Sequence, residues 1–135
     1  MNHNFKQLRF SKENIDKYKT KQCIVPWNTK NSNTTNMLKH ARYIEGLTQG
    51  LFLIDEIDNA LIGYISWENT IITSLEVIWK YRHKGFGKYL LDQAISAGCN
   101  QLSVNKKNIY AINFYLKYGF IIINKDSNLI MYFKK

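Results

Sequence analysis

One turn restricts the folds open to this chain more than any other stretch. From Val77 to Leu91 the sequence reads Val-Ile-Trp-Lys-Tyr-Arg-His-Lys-Gly-Phe-Gly-Lys-Tyr-Leu-Leu. A strand-like apolar run precedes it and an amphipathic helix begins inside it, so the turn passes from a two-residue to a 3.6-residue period. Gly85 and Gly87 let the backbone approach a ligand closely, because no side chain stands in the way. The N–H groups that open the following helix then face that ligand, with the helix dipole favouring negative charge. Arg82, His83, Lys84 and Lys88 lie in the same turn. A phosphate-bearing ligand is the natural expectation.

The elements around the turn follow from spacing. Gln7–Phe10 reads as a short strand, and Ser11 caps a helix to about Tyr18 with Ile15 and Tyr18 on one face. Pro26-Trp27 breaks any regular element, and residues 28–36 form a polar Asn/Thr/Ser run expected to be an exposed loop. Met37, Leu38, Ala41, Ile44 and Leu47 suggest a helix over Met37–Leu47, closed by Thr48-Gln49-Gly50. Leu51–Asp55, Ala60–Trp67 and Thr70–Ile78 are β-rich runs with short polar turns between them, which implies an antiparallel meander. The next helix, Gly85 to Ala97, carries an apolar stripe of Phe86, Leu90, Leu91, Ala94 and Ile95. It leads to a strand at Gln101–Asn105, so this crossover should make a parallel pair. A helix over Asn108–Tyr118 stops at Gly119, and Phe120–Asn124 with Leu129–Phe133 form a closing hairpin. The order β-α-α-β-β-β-α-β-α-β-β defines an α+β sandwich on a mixed, mostly antiparallel sheet. With 135 residues the chain is expected to form a single domain, residues 1–135.

Charge is distributed in blocks. Residues 1–42 carry nine Lys/Arg against two acids; residues 43–79 carry six acids and no Lys or Arg; residues 80–135 carry ten Lys/Arg against two acids. A basic C-terminal half suits an anionic cofactor, and the acidic middle suits a cationic substrate. A solvated surface of biased composition gives the same block pattern, since net charge bears on encounter and not on fold. Cys23 and Cys99 show no metal-ligand spacing and read as reduced thiols of a cytoplasmic protein. His3, His40 and His83 are scattered, so no metal site is expected. No apolar run reaches the ~18 residues of a membrane span, and the N-terminus has no apolar segment behind its charges, unlike a secretory signal.

Arg82-x-x-Gly85-x-Gly87, with Leu75-x-Val77 before it, resembles the acyl-CoA signature of the Gcn5-related N-acetyltransferase family, which lies between the fourth strand and the next helix. Asn108-x-x-Ala111-x-x-x-Tyr115, followed by Lys117-Tyr118-Gly119-Phe120, is similar to the family's later helix at the family's separation. The resemblance covers residues 50–135 well and the first 50 in outline. It implies an acyl-CoA N-acyltransferase-like fold, acetyl-CoA as acyl donor and direct transfer to an amine. The backbone of His83, Lys84, Gly85, Phe86, Gly87 and Lys88 would hold the CoA pyrophosphate, with Arg82, Lys84 and Lys88 adding charge. Val77 would pair with the pantetheine arm, and Asn108 and Ala111 would lie near it. Tyr115 would be the general acid for the departing thiolate; plain packing in an aromatic face with Phe114 and Tyr118 is the alternative.

The base is less defined. An amine acceptor must lose a proton before it attacks. Glu76 lies in the expected strand, but a bulge would decide its face; Glu68 and Glu45 are the other candidates. Ile71 stands where some family members carry a catalytic Glu, which argues against a histone-type mechanism. The expected acceptor is a small cationic amine, an amino-acid derivative or a peptidyl amine, and a charged tRNA would suit the basic flanks. The competing readings are a nucleic-acid-binding module, although the aromatics follow core periodicity and do not interleave with Lys/Arg, and a CoA-binding regulator without turnover. The oligomeric state is expected to be monomer or homodimer.

Overall fold

The structure is a computed structural model that describes residues 4–19 and 44–134. In chain order these form β1 (Phe5–Arg9), α1 (Lys12–Lys19), β2 (Thr48–Asp55), β3 (Leu61–Glu68), β4 (Ile71–Val77), a single 3-10 turn (Trp79–Tyr81), α2 (Phe86–Ser96), β5 (Gln101–Asn105), α3 (Ile109–Tyr118), β6 (Ile121–Asn124) and β7 (Asn128–Tyr132). The strands lie in one sheet in the order β1-β2-β3-β4-β5-β7-β6. Every neighbouring pair is antiparallel except β4–β5. This is the expected mixed α+β sheet.

Local chemistry explains the meander. Asp55 Oδ1 accepts from the Ile57 N–H and Asp58 Oδ1 from the Ala60 N–H, short Asx bonds that turn β2 into β3. Asn59 and Asn69 take the left-handed conformation, at φ 61° and 56°, in the two turns. The β4–β5 connection has no such shortcut. It is parallel, so α2 must cross over between them, and Phe86, Leu90, Leu91, Ala94 and Ile95 form its buried face as the spacing predicts.

The register assigns the two faces of the sheet. Leu8, Phe52 and Tyr64 are cross-strand partners and share a face; Tyr18 of α1 packs on Phe52, with ring centroids 5.7 Å apart. Phe5 is an odd number of residues from Leu8, so it points the other way, and it meets Phe86 and Tyr89 of α2 at 5.6 and 5.1 Å. α1 and α2 therefore cover opposite faces.

The boundaries differ from expectation in places. β2 starts at Thr48, because Thr48, Gln49 and Gly50 pair with Glu68, Trp67 and Ser66; these residues extend a strand and do not close a helix. The helix expected over 37–47 falls mostly outside the described residues, and residues 45–47 form a turn. The loop at 28–36 lies outside them entirely.

Candidate active site

β4 and β5 stay together for only two pairs, Ile71↔Gln101 and Ile72↔Leu102. Beyond them the strands part, and a cleft of about 370 Å³ opens between their C-terminal ends, floored by α3. The cause is an extra residue. Trp67 pairs with Ile72 but Ser66 pairs with Ser74, which leaves Thr73 unmatched in β4 as a bulge. A bulge bends its strand and increases local twist, and this one turns Ser74–Val77 away from β5.

The bulge also settles where Glu76 points. Glu76 pairs with Tyr64 and so lies on the α1 face, whereas Val77 pairs with Gly63 and lies on the α2 face. Both line the cleft. Glu68 does not; Thr48 Oγ1 bonds to its carboxylate at 3.4 Å. Glu45 is exposed in the turn before β2 and also lies off the cleft. Of the three candidate bases, Glu76 alone reaches the site.

The turn after β4 forms the rim. Gly85 is the N-cap of α2 at φ 90°, a left-handed conformation that costs glycine little. Gly87, two residues on, stands where a Cβ would come within 3.3 Å of Phe114 Cζ and 3.8 Å of Val77 Cγ2. The space at this rim therefore depends on glycine. The first-turn N–H groups of Gly87 and Lys88 have no intrahelical acceptor. Phe86 contributes backbone only, since its ring is 1% exposed and packs edge-on against Phe5 and Tyr81.

The cations around the rim differ in use. Arg82 is half-buried; its Nε donates to the Val77 carbonyl at 3.0 Å, and its guanidinium lies 5.2 Å from the centroid of the Tyr110 ring. Burial lowers its pKa, and the charges of Tyr110 and Glu76 oppose that shift. Arg82 thus braces the rim against α3 and also lines the cleft. Lys88 pairs with Asp92 at 3.1 Å in an exposed i,i+4 bridge, which is worth little and leaves the ammonium available. His83 lines the cleft at φ 61°, edge-on to Tyr110 at 6.4 Å. Lys84 is exposed and does not line it. Tyr110 is a site residue that spacing does not reveal, because at 46% exposure it resembles any surface tyrosine at a helix start.

α3 supplies the floor. Asn108 caps it, with Oδ1 accepting from the Ala111 N–H at 3.2 Å, and both residues line the cleft. Tyr115 also lines it, yet is 8% exposed and packed against Phe114 and Phe120 at 5.3 and 5.6 Å. Burial raises its pKa first, and the negative charge of Glu76 adds to this, so the phenol keeps its proton well above neutral pH. The ring of Tyr115 is core, and the residue also borders the cleft. Among the described residues no cluster of three or more His, Cys, Asp or Glu could hold a metal ion, and no helix is long and apolar enough to cross a membrane.

A profile of the acetyltransferase (GNAT) family matches residues 13–120. The chain belongs to that family, a family of acyl-CoA-dependent N-acetyltransferases. Comparison with curated proteins gives no match. Among solved structures, Arabidopsis thaliana Naa50 in complex with the bisubstrate analogue CoA-Ac-MVNAL is similar at 19% identity and a TM-score of 0.61, covering 97% of this chain and 98% of that one. A putative streptothricin acetyltransferase from Bacillus anthracis, in complex with acetyl coenzyme A, is 24% identical with a TM-score of 0.52, covering 64% of this chain and 60% of that one. A protein of Pyrococcus horikoshii OT3 is 24% identical with a TM-score of 0.52, covering 62% and 64%. The chain thus spans less than two thirds of the latter two. At these identities the likeness is one of fold.

Proposed function

We propose that the chain transfers the acetyl group of acetyl-CoA directly to a primary amine. The observation that carries this reading is the cleft between β4 and β5, with Gly87 and a helix N-terminus at its rim, Tyr115 on its floor and Glu76 on its other face. The residues fit the donor: the space kept open by Gly87 and the N–H groups of Gly87 and Lys88 suit a pyrophosphate, with Lys88 and His83 adding donors. The Val77 edge, no longer paired with β5, offers backbone groups to the amides of an extended arm, flanked by Asn108 and Ala111. Bound there, acetyl-CoA supplies an acetyl thioester whose thiolate can leave.

Glu76 takes a proton from the incoming ammonium, because only the neutral amine carries a lone pair. Tyr115 holds a proton on Oη and stabilises the developing thiolate by donating a hydrogen bond. A phenol near pKa 10 is already a weaker acid than a thiol near ~8.5, and burial widens that gap. Complete transfer from Oη therefore needs a replacement proton, which the amine provides as its nitrogen becomes an amide. The sheet sets the donor and acceptor sides apart, with Val77 towards the donor side and Glu76 towards the other. The acidic block over residues 43–79 favours a cationic acceptor: a small amine, an amino-acid derivative or a peptidyl amine.

Native mass spectrometry of the purified protein, followed by thiol release with acetyl-CoA across a panel of amines, tests the proposal. A CoA-mass adduct and amine-dependent release are expected. No adduct and no release with any amine would overturn it.

A further inference from the structure

Ser66 is 1% exposed and lies opposite the bulge. Its Oγ bonds to Thr73 Oγ1 at 2.8 Å and also to Ser74 Oγ. Ser74 in turn shares a hydrogen bond with the Tyr64 hydroxyl. One buried hydroxyl thus holds both the extra residue and the residue after it.

Those two residues are the alternative partners of Ser66. In the observed register Ser66 faces Ser74, and the pairs beyond it are Ile65↔Leu75, Tyr64↔Glu76 and Gly63↔Val77. Without the bulge Ser66 would face Thr73, and each later pair would slip by one, setting Leu75 opposite Tyr64 and Glu76 opposite Gly63. Such a slip sends every side chain to the other face. Glu76 would move to the α2 side and Val77 to the α1 side. The apolar pattern does not choose between the registers, since Leu75 and Val77 stay together on one face in both. The hydroxyl contacts do distinguish them, because only a bulged strand brings both Thr73 and Ser74 within reach of one buried oxygen.

We infer that Ser66 is a positioning residue that locks the β4 bulge, and so fixes Val77 on the donor face and Glu76 on the acceptor face. The inference rests on the acetyl-transfer reading for its kinetic consequence but not for its structural one. The substitution Ser66→Ala removes the shared hydroxyl. The direct cross-strand Hα NOE pairing should shift from Tyr64–Glu76 to Tyr64–Leu75. At the same time kcat should fall about ten- to a hundredfold through misplacement of Glu76. Thr73→Val should act in the same direction and be non-additive with Ser66→Ala, while Thr73→Ser, which keeps the hydroxyl, should match the wild type. Thr73→Val also carries the test if Ser66→Ala fails to fold. If Tyr64–Glu76 contacts persist unchanged in both variants and only the melting temperature falls, Ser66 is merely a satisfied buried serine and the inference is wrong. The NOE pattern decides this even if no amine is ever acetylated.

Discussion

The two faces of β4 differ in how they are built. On the Val77 side the site is backbone and absence: glycines at 85 and 87, helix N–H groups, and space that a single Cβ would fill. On the Glu76 side it is side chains in contact: Tyr64, Ser66, Ser74 and Thr73 linked by hydrogen bonds beside one carboxylate. A site made from backbone tolerates changes in most side chains but not an added one at its glycines. A site made from hydroxyl contacts depends on register.

The largest effect should come from adding bulk and charge on the donor face. Gly87→Glu places a side chain against Phe114 and an anion where the pyrophosphate is proposed to sit. Acetyl-CoA affinity by calorimetry should fall at least ~100-fold, or about 2.7 kcal/mol. A dissociation constant within about threefold of wild type would break the division between the faces. Tyr115→Phe acts where the faces meet. It should lower kcat by ~10²-fold with little change in acetyl-CoA KM, and a kcat within about twofold at saturation would rule out its acid role. Because the Tyr115 pKa is raised by burial and by Glu76, its proton is lost only above the ordinary phenol range. Any alkaline fall in wild-type rate below pH ~10 should therefore persist unchanged in Tyr115→Phe.

Smaller effects should sharpen the boundary. Asn108→Ala removes the α3 cap bond, for a loss of about 1 kcal/mol and a melting temperature lower by a few degrees; an unchanged melting temperature would mean that Asn108 serves the ligand alone. Cys99 lies outside both faces and should move neither. Burial pushes its thiol up to about 11, so the folded state holds this proton more tightly than the unfolded chain. Its contribution to stability is complete below the ordinary thiol pKa and is lost as pH rises towards 11. Cys99→Ser should flatten the alkaline fall in urea midpoint slightly; an identical slope would remove the cysteine from the account.

The Val77 side of the fold was legible in sequence because its signals are local. Two glycines and a helical stripe predict α2 and its buried residues, and Gln101–Asn105 emerges with the bounds expected. The other face was not. A bulge leaves no mark in Thr-Ser-Leu-Glu-Val, which alternates equally well in either register. Buried Ser66 and Tyr64 read as ordinary strand residues until β3 and β4 are laid side by side. Arg82 shows what charge alone leaves out: the sequence displays a cation near a glycine turn, while the fold ties its Nε to Val77 and lays it on Tyr110. Spacing shows that a cation is present, but its partner comes from α3, 28 positions further along the chain.

The two-pair junction between β4 and β5 has a consequence for how the molecule assembles. Strands β1–β4 and β5–β7 are each antiparallel blocks. The junction between the blocks is parallel and must wait for α2 to cross over, the slower kind of pairing. A ligand lying in the cleft touches both blocks along the line where the sheet has fewest bonds of its own. It acts as a splint across a seam, and by mass action it raises the free energy needed to part the blocks as its concentration exceeds its dissociation constant. For the proposed acyl donor, supply and structural integrity would thereby be coupled in the same few residues.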